Sequence, residues 1–105
     1  MVELKGRILV LEDEESIREI LQCMFEDRGY EAVTTAKGED TIEQYRDNGP
    51  FDLVSMDLTI AGGLGGVETM AALKEFDPDI KAIILSAGYR DDDVIRNYQD
   101  YGFNL

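Results

Sequence analysis

The chain has 105 residues, of which 44% are hydrophobic and 31% are charged, so residues 1–105 are expected to form one small globular domain with room for one site. Its 23 acidic and 10 basic residues give a net charge of −13, which argues against nucleic acid or an anionic membrane surface as a direct partner. A bound divalent cation fits this charge better, although most of the acids must simply be solvated. Because the chain has no histidine, any phosphohistidine would have to lie on a partner.

The cellular compartment is indicated by what the sequence lacks. Cys23 is the only cysteine and falls inside a helical apolar pattern, which favours core packing over a disulfide. No apolar run approaches the length of a membrane span, and residues 1–6 lack the apolar segment of a signal peptide. These features predict a cytoplasmic protein in a reducing compartment.

Apolar runs and helical patterns alternate through the first half of the chain. Residues 7–11 form a continuous apolar run that predicts a strand buried on both faces. One face of a helix is then marked by the i, i+3, i+4, i+7 and i+8 positions, namely Ile17, Ile20, Leu21, Met24 and Phe25. Gly29 is expected to end this helix. A short strand at residues 31–35 and a weaker helix at residues 39–47 follow.

The second half continues the alternation. The stretch at residues 51–59 predicts a buried strand that stops on Asp57, because its apolar run is too short for a helix. A helix at residues 67–76, a strand at 80–85, a helix starting near 91 and the beginning of a fifth strand at 103–105 follow. This order predicts an α/β fold with a doubly wound parallel sheet, helices on both faces and right-handed crossovers.

Three strands end in polar groups that could meet. Glu12 and Asp13 follow the first strand, Asp57 the third and Ser86 the fourth. In a sheet of order 2-1-3-4-5 these strands are neighbours, so the groups converge at the point where the strand order reverses. Clustered carboxylates require either a raised pKa or a hard cation, and Mg²⁺ is the natural choice because it leaves room for phosphate oxygens. An aspartate in that setting can act as a nucleophile and form an acyl phosphate.

Each of these residues also has an ordinary structural explanation. Asp57 alone is equally well explained as a turn cap, and Glu14 and Glu15 as acids that complement a helix dipole. Ser86 alone is best explained by local backbone hydrogen bonding; only the convergence favours a site. The glycine-rich stretch at residues 62–66 lacks the Lys-Ser/Thr ending of a nucleotide-binding loop, so we interpret it as a lid or turn beside the site.

Over essentially its whole length, the chain resembles the receiver domains of bacterial two-component response regulators. The motifs that resemble the family's acidic pair, phosphoacceptor strand end and switch hydroxyl are residues 8–14, 56–59 and 85–88. Residues 57–66 and 86–89, with Tyr101-Gly102-Phe103, are particularly similar to receivers attached to hybrid sensor histidine kinases. The resemblance implies a flavodoxin-like fold with strand order 2-1-3-4-5.

The resemblance also implies roles for individual residues. Asp57 would accept a phosphoryl group from the phosphohistidine of a histidine kinase. Asp13, Asp57 and the backbone carbonyl of Thr59 would hold Mg²⁺, with Glu12 acting through coordinated water. Ser86 would bind the phosphoryl group and bias a two-state equilibrium on the face of the fourth helix and fifth strand. Such a domain is not an enzyme beyond self-phosphorylation and self-dephosphorylation.

The sequence departs from the family pattern in two places. Ala61 stands where many relatives carry proline, which should loosen its loop. The family's lysine at the end of the fifth strand has no counterpart before Leu105, and a fifth helix is missing as well. We therefore expect a C-terminally truncated receiver that is marginally stable as a monomer or self-associates, through the uncovered sheet face or the face of the fourth helix and fifth strand.

Two other functions remain open. One is a receiver-like interaction module that keeps the fold but no longer cycles phosphate, which the missing lysine makes a genuine alternative. A Mg²⁺-dependent aspartyl phosphatase is disfavoured, because Thr59 occupies the place of the second acid in the Asp-x-Asp motif that such enzymes resemble.

Overall fold

The computed structural model describes residues 4–57, 65–84, 98–101 and 103. Four parallel strands form one sheet in the order β2-β1-β3-β4, where β1 is Gly6–Leu11, β2 Tyr30–Thr35, β3 Leu53–Met56 and β4 Ala82–Ile84. The connecting helices are α1 Glu15–Asp27, α2 Gly38–Asn48 and α3 Gly66–Phe76. This order confirms the predicted doubly wound arrangement for the first four strands.

The predicted fourth helix and fifth strand fall largely outside the described residues. Tyr98–Tyr101, at the end of the predicted helix, form a short 3₁₀ turn. Phe103 is buried, and its N–H donates to the carbonyl of Tyr98 at 3.0 Å. The fourth strand begins later than predicted, at Ala82, because Ile80 belongs to the turn before it and donates to the carbonyl of Asp77 at 3.1 Å.

One face of the sheet carries the main core. Side chains alternate between the faces of a strand, so Leu9 and Leu11 point to the same side as Val54 and Met56, and all four are at most 1% exposed. Helices α2 and α3 cover this side with apolar residues that belong to the same cluster, including Tyr45, Met70 and Leu73. The Tyr45 hydroxyl donates to the Asp77 carboxylate and so ties α2 to the end of α3.

Helix α1 lies on the opposite face, against β1 and β2. It ends as predicted at Gly29, whose φ of +91° is a left-handed conformation that glycine adopts at little cost. The prediction that Cys23 packs in the core is wrong, because Cys23 is exposed. At 3.6 residues per turn, it falls on the side of the helix opposite Leu21 and Phe25. In the described part of the chain, no helix is both long and apolar enough to cross a membrane.

Candidate functional site

Three acidic side chains meet at the carboxyl ends of β1 and β3. Glu12, Asp13 and Asp57 each offer a carboxylate oxygen, and these three oxygens lie within 4.8 Å of one another. The two strands are parallel neighbours with Leu11 paired to Met56, so the residues that follow them emerge side by side. The Asp57 N–H donates to the Leu11 carbonyl at 2.9 Å and continues this pairing into the site. We call Glu12, Asp13 and Asp57 the acidic cluster.

The structure therefore brings together three of the five residues that the sequence places at the site. Thr59 and Ser86, the other two, lie outside the described residues, as does most of the glycine-rich stretch. Their predicted roles, a carbonyl ligand for Mg²⁺ and a phosphoryl-binding hydroxyl, stay predictions.

The backbone that presents Glu12 and Asp13 is held by several hydrogen bonds. The Glu12 N–H donates to the Thr35 carbonyl at 3.0 Å, which extends the β1–β2 pairing by one residue. The Glu12 carboxylate accepts from the Glu14 N–H at 3.1 Å. From the first turn of α1, Nη1 of Arg18 donates to the carbonyls of Glu12 at 3.0 Å and Asp13 at 2.9 Å.

The three carboxylates occupy different environments. Glu12 is 5% exposed, whereas Asp13 and Asp57 are half-buried. Burial raises the pKa of Glu12 to about 7, and the neighbouring Asp13 and Asp57 carboxylates add to the rise, while the Glu14 N–H opposes it. At neutral pH and without a cation, the cluster is therefore poised to take up a proton at Glu12.

This donor set fits Mg²⁺. Carboxylate oxygens are the hard ligands that this ion prefers, and it uses one or two of them while keeping several waters. Two oxygens bound to the same Mg²⁺ lie at most about 4.2 Å apart, given bonds of about 2.1 Å. With all three carboxylate oxygens within 4.8 Å of one another, two of the acids could bind the ion directly while the third acts through water. The buried Glu12 is the natural third.

Sequence reasoning missed the part played by Arg18. The only signal for it was its position in the first turn of a helix, where a cation opposes the helix dipole. The position of Arg18 is unfavourable for its own helix, and its hydrogen bonds to the Glu12 and Asp13 carbonyls explain it instead.

The fold and the acidic cluster together define an α/β domain with a carboxylate site at the switch point of a parallel sheet. The sequence pattern of the response regulator receiver domain matches residues 8–104. The chain is 31% identical over 96 residues to "Sporulation initiation phosphotransferase F" of Bacillus subtilis, which covers 91% of this chain and 75% of that protein. It is 34% identical over 83 residues to "Uncharacterized transcriptional regulatory protein YkoG" of the same organism, covering 79% of this chain and 36% of that protein.

Solved structures show the same fold. The CheX-CheY-BeF3-Mg²⁺ complex from Borrelia burgdorferi contains a chain that matches 97% of this one and is itself matched over 76% of its length, with a TM-score of 0.86 and 23% identity. A complex of the histidine kinase ThkA with the response regulator protein TrrA gives a TM-score of 0.71 and 34% identity, covering 81% of this chain and 72% of that one. The chain belongs to the response regulator receiver domain family, whose members are signalling domains of two-component systems.

Proposed function

We propose that this chain is the phosphoacceptor domain of a two-component phosphorelay and that Asp57 takes a phosphoryl group from a phosphohistidine on a histidine kinase. The observation that carries the proposal is the convergence of Glu12, Asp13 and Asp57 within 4.8 Å at the carboxyl edge of the sheet. Family membership supports it, and the absence of histidine from the chain agrees with an imidazole donor on a partner.

The reaction is one displacement at phosphorus. A carboxylate oxygen of Asp57 attacks, a P–O bond forms, the P–N bond to the donor imidazole breaks, and the imidazole leaves with its electron pair and takes up a proton. Asp57 is suited to this step because its N–H, bonded to the Leu11 carbonyl, fixes the backbone that presents the carboxylate. The product is an acyl phosphate on Asp57.

Mg²⁺ would be held by Asp13, Asp57 and the Thr59 carbonyl, with Glu12 acting through water, and it would offset the negative charge of the Asp57 carboxylate and of the phosphoryl oxygens. Ser86 would then bind the phosphoryl group and shift the face of the fourth helix and fifth strand between two states. By this proposal the domain catalyses at most its own phosphorylation and dephosphorylation.

The partners and location follow from the same proposal. TrrA is bound to a histidine kinase in its solved complex, which supports a kinase as the partner of this chain. Two further parts rest on the sequence: the domain works in the cytoplasm, and the motifs around Asp57 favour attachment to a hybrid sensor kinase. We also propose self-association, through the fourth-helix face or the sheet face that carries α1. Nucleic acid and membranes are not direct partners in this proposal.

Intact mass after incubation with Mg²⁺ and acetyl phosphate tests the proposal. We expect the chain to gain one phosphoryl group and Asp57→Asn to gain none. Asp52→Asn is the matched control, because Asp52 lies at the other end of β3, away from the acidic cluster, and should react like the wild type.

Other results would redirect the assignment. Mg²⁺ binding without any phosphoryl gain would favour a receiver-like interaction module that does not cycle phosphate. Multiple turnover on small phosphate esters would instead indicate an aspartyl phosphatase. Modification of Asp57→Asn at the wild-type level would overturn Asp57 as the acceptor.

A further inference from the structure

Arg18 is placed to organise the acidic cluster without occupying any of its carboxylates. Its Nη1 donates to the backbone carbonyls of the two consecutive acids, at 3.0 Å to Glu12 and 2.9 Å to Asp13. Among the described residues, its side chain makes these carbonyl contacts and no ion pair with a carboxylate. A guanidinium paired to a carboxylate would compete with a metal ion for that oxygen, whereas one bound to the carbonyls does not.

The helix itself does not explain why Arg18 is where it is. The Arg18 N–H bonds to the Glu14 carbonyl, so the residue belongs to the first turn of α1, where a cation opposes the helix dipole. Glu14, at the cap position, makes no side-chain capping hydrogen bond. The backbone path of residues 12–14 therefore depends on hydrogen bonds other than a side-chain cap, and the Arg18 side chain donates two of them.

The loop is short enough for these bonds to fix side-chain direction. Only Glu12, Asp13 and Glu14 separate β1 from α1, and the Glu12 N–H is already bound to the Thr35 carbonyl. With one peptide group held at its N–H and the next two at their carbonyls, little rotation remains in the backbone from which the two carboxylates project. Removing Arg18 frees the two carbonyls and widens the range of directions.

We propose that Arg18 is a positioning residue that aims Glu12 and Asp13 at the point where Asp57 would share a Mg²⁺ ion. This inference rests on the proposed function for the identity of the ion. Arg18 has a second, opposite effect, because its positive charge also repels a divalent cation. Hydrogen-bond partners of metal ligands typically change metal affinity by roughly 10–100-fold, so we expect positioning to dominate.

Direct measurement of Mg²⁺ binding by calorimetry, with no phosphoryl donor present, is the primary test. We expect Arg18→Gln to bind Mg²⁺ roughly tenfold more weakly, and Arg18→Lys to recover part of the loss because it keeps a charged donor without the guanidinium geometry. Arg28→Gln is the matched control. It removes the same charge at the other end of α1, where Arg28 is exposed and its Nη1 lies 3.5 Å from the Met24 carbonyl.

A kinetic measurement separates positioning from a direct role in phosphoryl transfer. The Mg²⁺ concentration that gives half-maximal phosphorylation by acetyl phosphate should rise in Arg18→Gln as the binding constant weakens. The rate at saturating Mg²⁺ should stay within about twofold of the wild type, because the bound ion itself then holds the carboxylates in place.

Several outcomes would overturn the inference: unchanged Mg²⁺ affinity, tighter binding that shows charge repulsion to be the larger effect, or a lower rate at saturating Mg²⁺ with unchanged affinity. If the wild type binds Mg²⁺ but accepts no phosphoryl group, the proposed function fails while the binding measurement still decides the role of Arg18. Circular dichroism checks folding. Should Arg18→Gln not fold, Arg18→Lys decides, since affinity equal to the wild type contradicts the inference and affinity weakened by roughly two- to fivefold supports it.

Discussion

Among the residues that the structure describes, the two faces of the sheet differ in how deeply their covering helices are buried. On the face of α2 and α3, helix residues such as Met70 and Leu73 are fully buried against the strands. On the other face, α1 has no buried residue, and Ile20 is 65% exposed. The same alternating strands supply apolar side chains to both faces, so the difference comes from the helices: two described helices cover the first face and one covers the second.

The less covered face also contains a groove of about 320 Å³ near the amino-terminal ends of the strands. It is lined by Ile8, Phe25, Arg28, Tyr30, Asp52 and Leu53. The acidic cluster lies at the opposite, carboxyl ends of the strands. The acidic cluster and this groove are therefore separated by the length of the sheet, so an association through α1 would leave the cluster accessible.

The largest expected effect comes from replacing leucine by alanine in a helix on each face. Leu73→Ala, on α3, should lower the free energy of unfolding by about 3–4 kcal/mol, because a fully buried leucine leaves a cavity. Leu21→Ala, on the half-buried stripe of α1, should cost about 1–2 kcal/mol, since less apolar surface is lost from the interior. Urea unfolding of both variants measures the difference. Equal losses would show that α1 is as well packed as α3.

A second test uses the buried acid at the carboxyl edge. In the folded chain the pKa of Glu12 is raised from 4.5 to about 7, so between these values the folded state holds more protons than the unfolded state. Protonated Glu12 therefore makes its full contribution to the stability of the Mg²⁺-free chain below pH 4.5. As pH rises from there to about 7, the free energy of unfolding should fall by an amount on the order of 2 kcal/mol.

Urea unfolding across that pH range measures the slope. Glu12→Gln should flatten it, whereas Glu14→Gln, which alters an exposed neighbour, should leave it in place. Added Mg²⁺ should also flatten it by favouring the ionised carboxylates. A slope that survives Glu12→Gln would place the titrating group elsewhere.

The sequence predicted the first four strands, the first three helices and part of the site for clear physical reasons. Strand β1 was evident from its apolar run, and α1 from five apolar side chains on one stripe. The proximity of Asp57 to Glu12 and Asp13 could be predicted because the carboxyl ends of neighbouring parallel strands lie at one edge of the sheet. These inferences need only periodicity and strand order.

What the sequence could not provide depends on tertiary detail. The error on Cys23 is of another kind, because 3.6 residues per turn already place it opposite Leu21 and Phe25, so periodicity alone could have predicted its exposure. The burial of Glu12 relative to Asp13 depends on the path of one loop. The bonds from Arg18 to two carbonyls depend on that same path, and no residue pattern encodes them.

Self-association through the less covered face gives a smaller expected effect. We expect sedimentation at micromolar concentrations to show association of the wild-type chain, and Ile20→Lys to weaken it by roughly tenfold, because a charge replaces exposed apolar surface at no cost to the core. Gln44→Lys adds the same charge on α2, across the sheet, and controls for the lower net charge. A wild-type chain that remains monomeric would contradict the expectation, as would equal weakening by both variants.

The smallest expected effect concerns Glu31, which forms an ion pair with Arg7 at the rim of the well-covered face. The Nε of Arg7 lies 3.0 Å from Glu31 Oε2 in the neighbouring strand, and both side chains are substantially exposed. Glu31→Gln should therefore change the free energy of unfolding by less than about 0.5 kcal/mol. Arg7 also stacks over the Phe51 ring at 4.4 Å and donates to the Asn48 carbonyl at 2.7 Å, so Arg7→Gln should cost more, about 1–2 kcal/mol. Equal effects in urea unfolding would mean that the ion pair stabilises this rim; the expected inequality would mean that the packing of Arg7 against the covered face does.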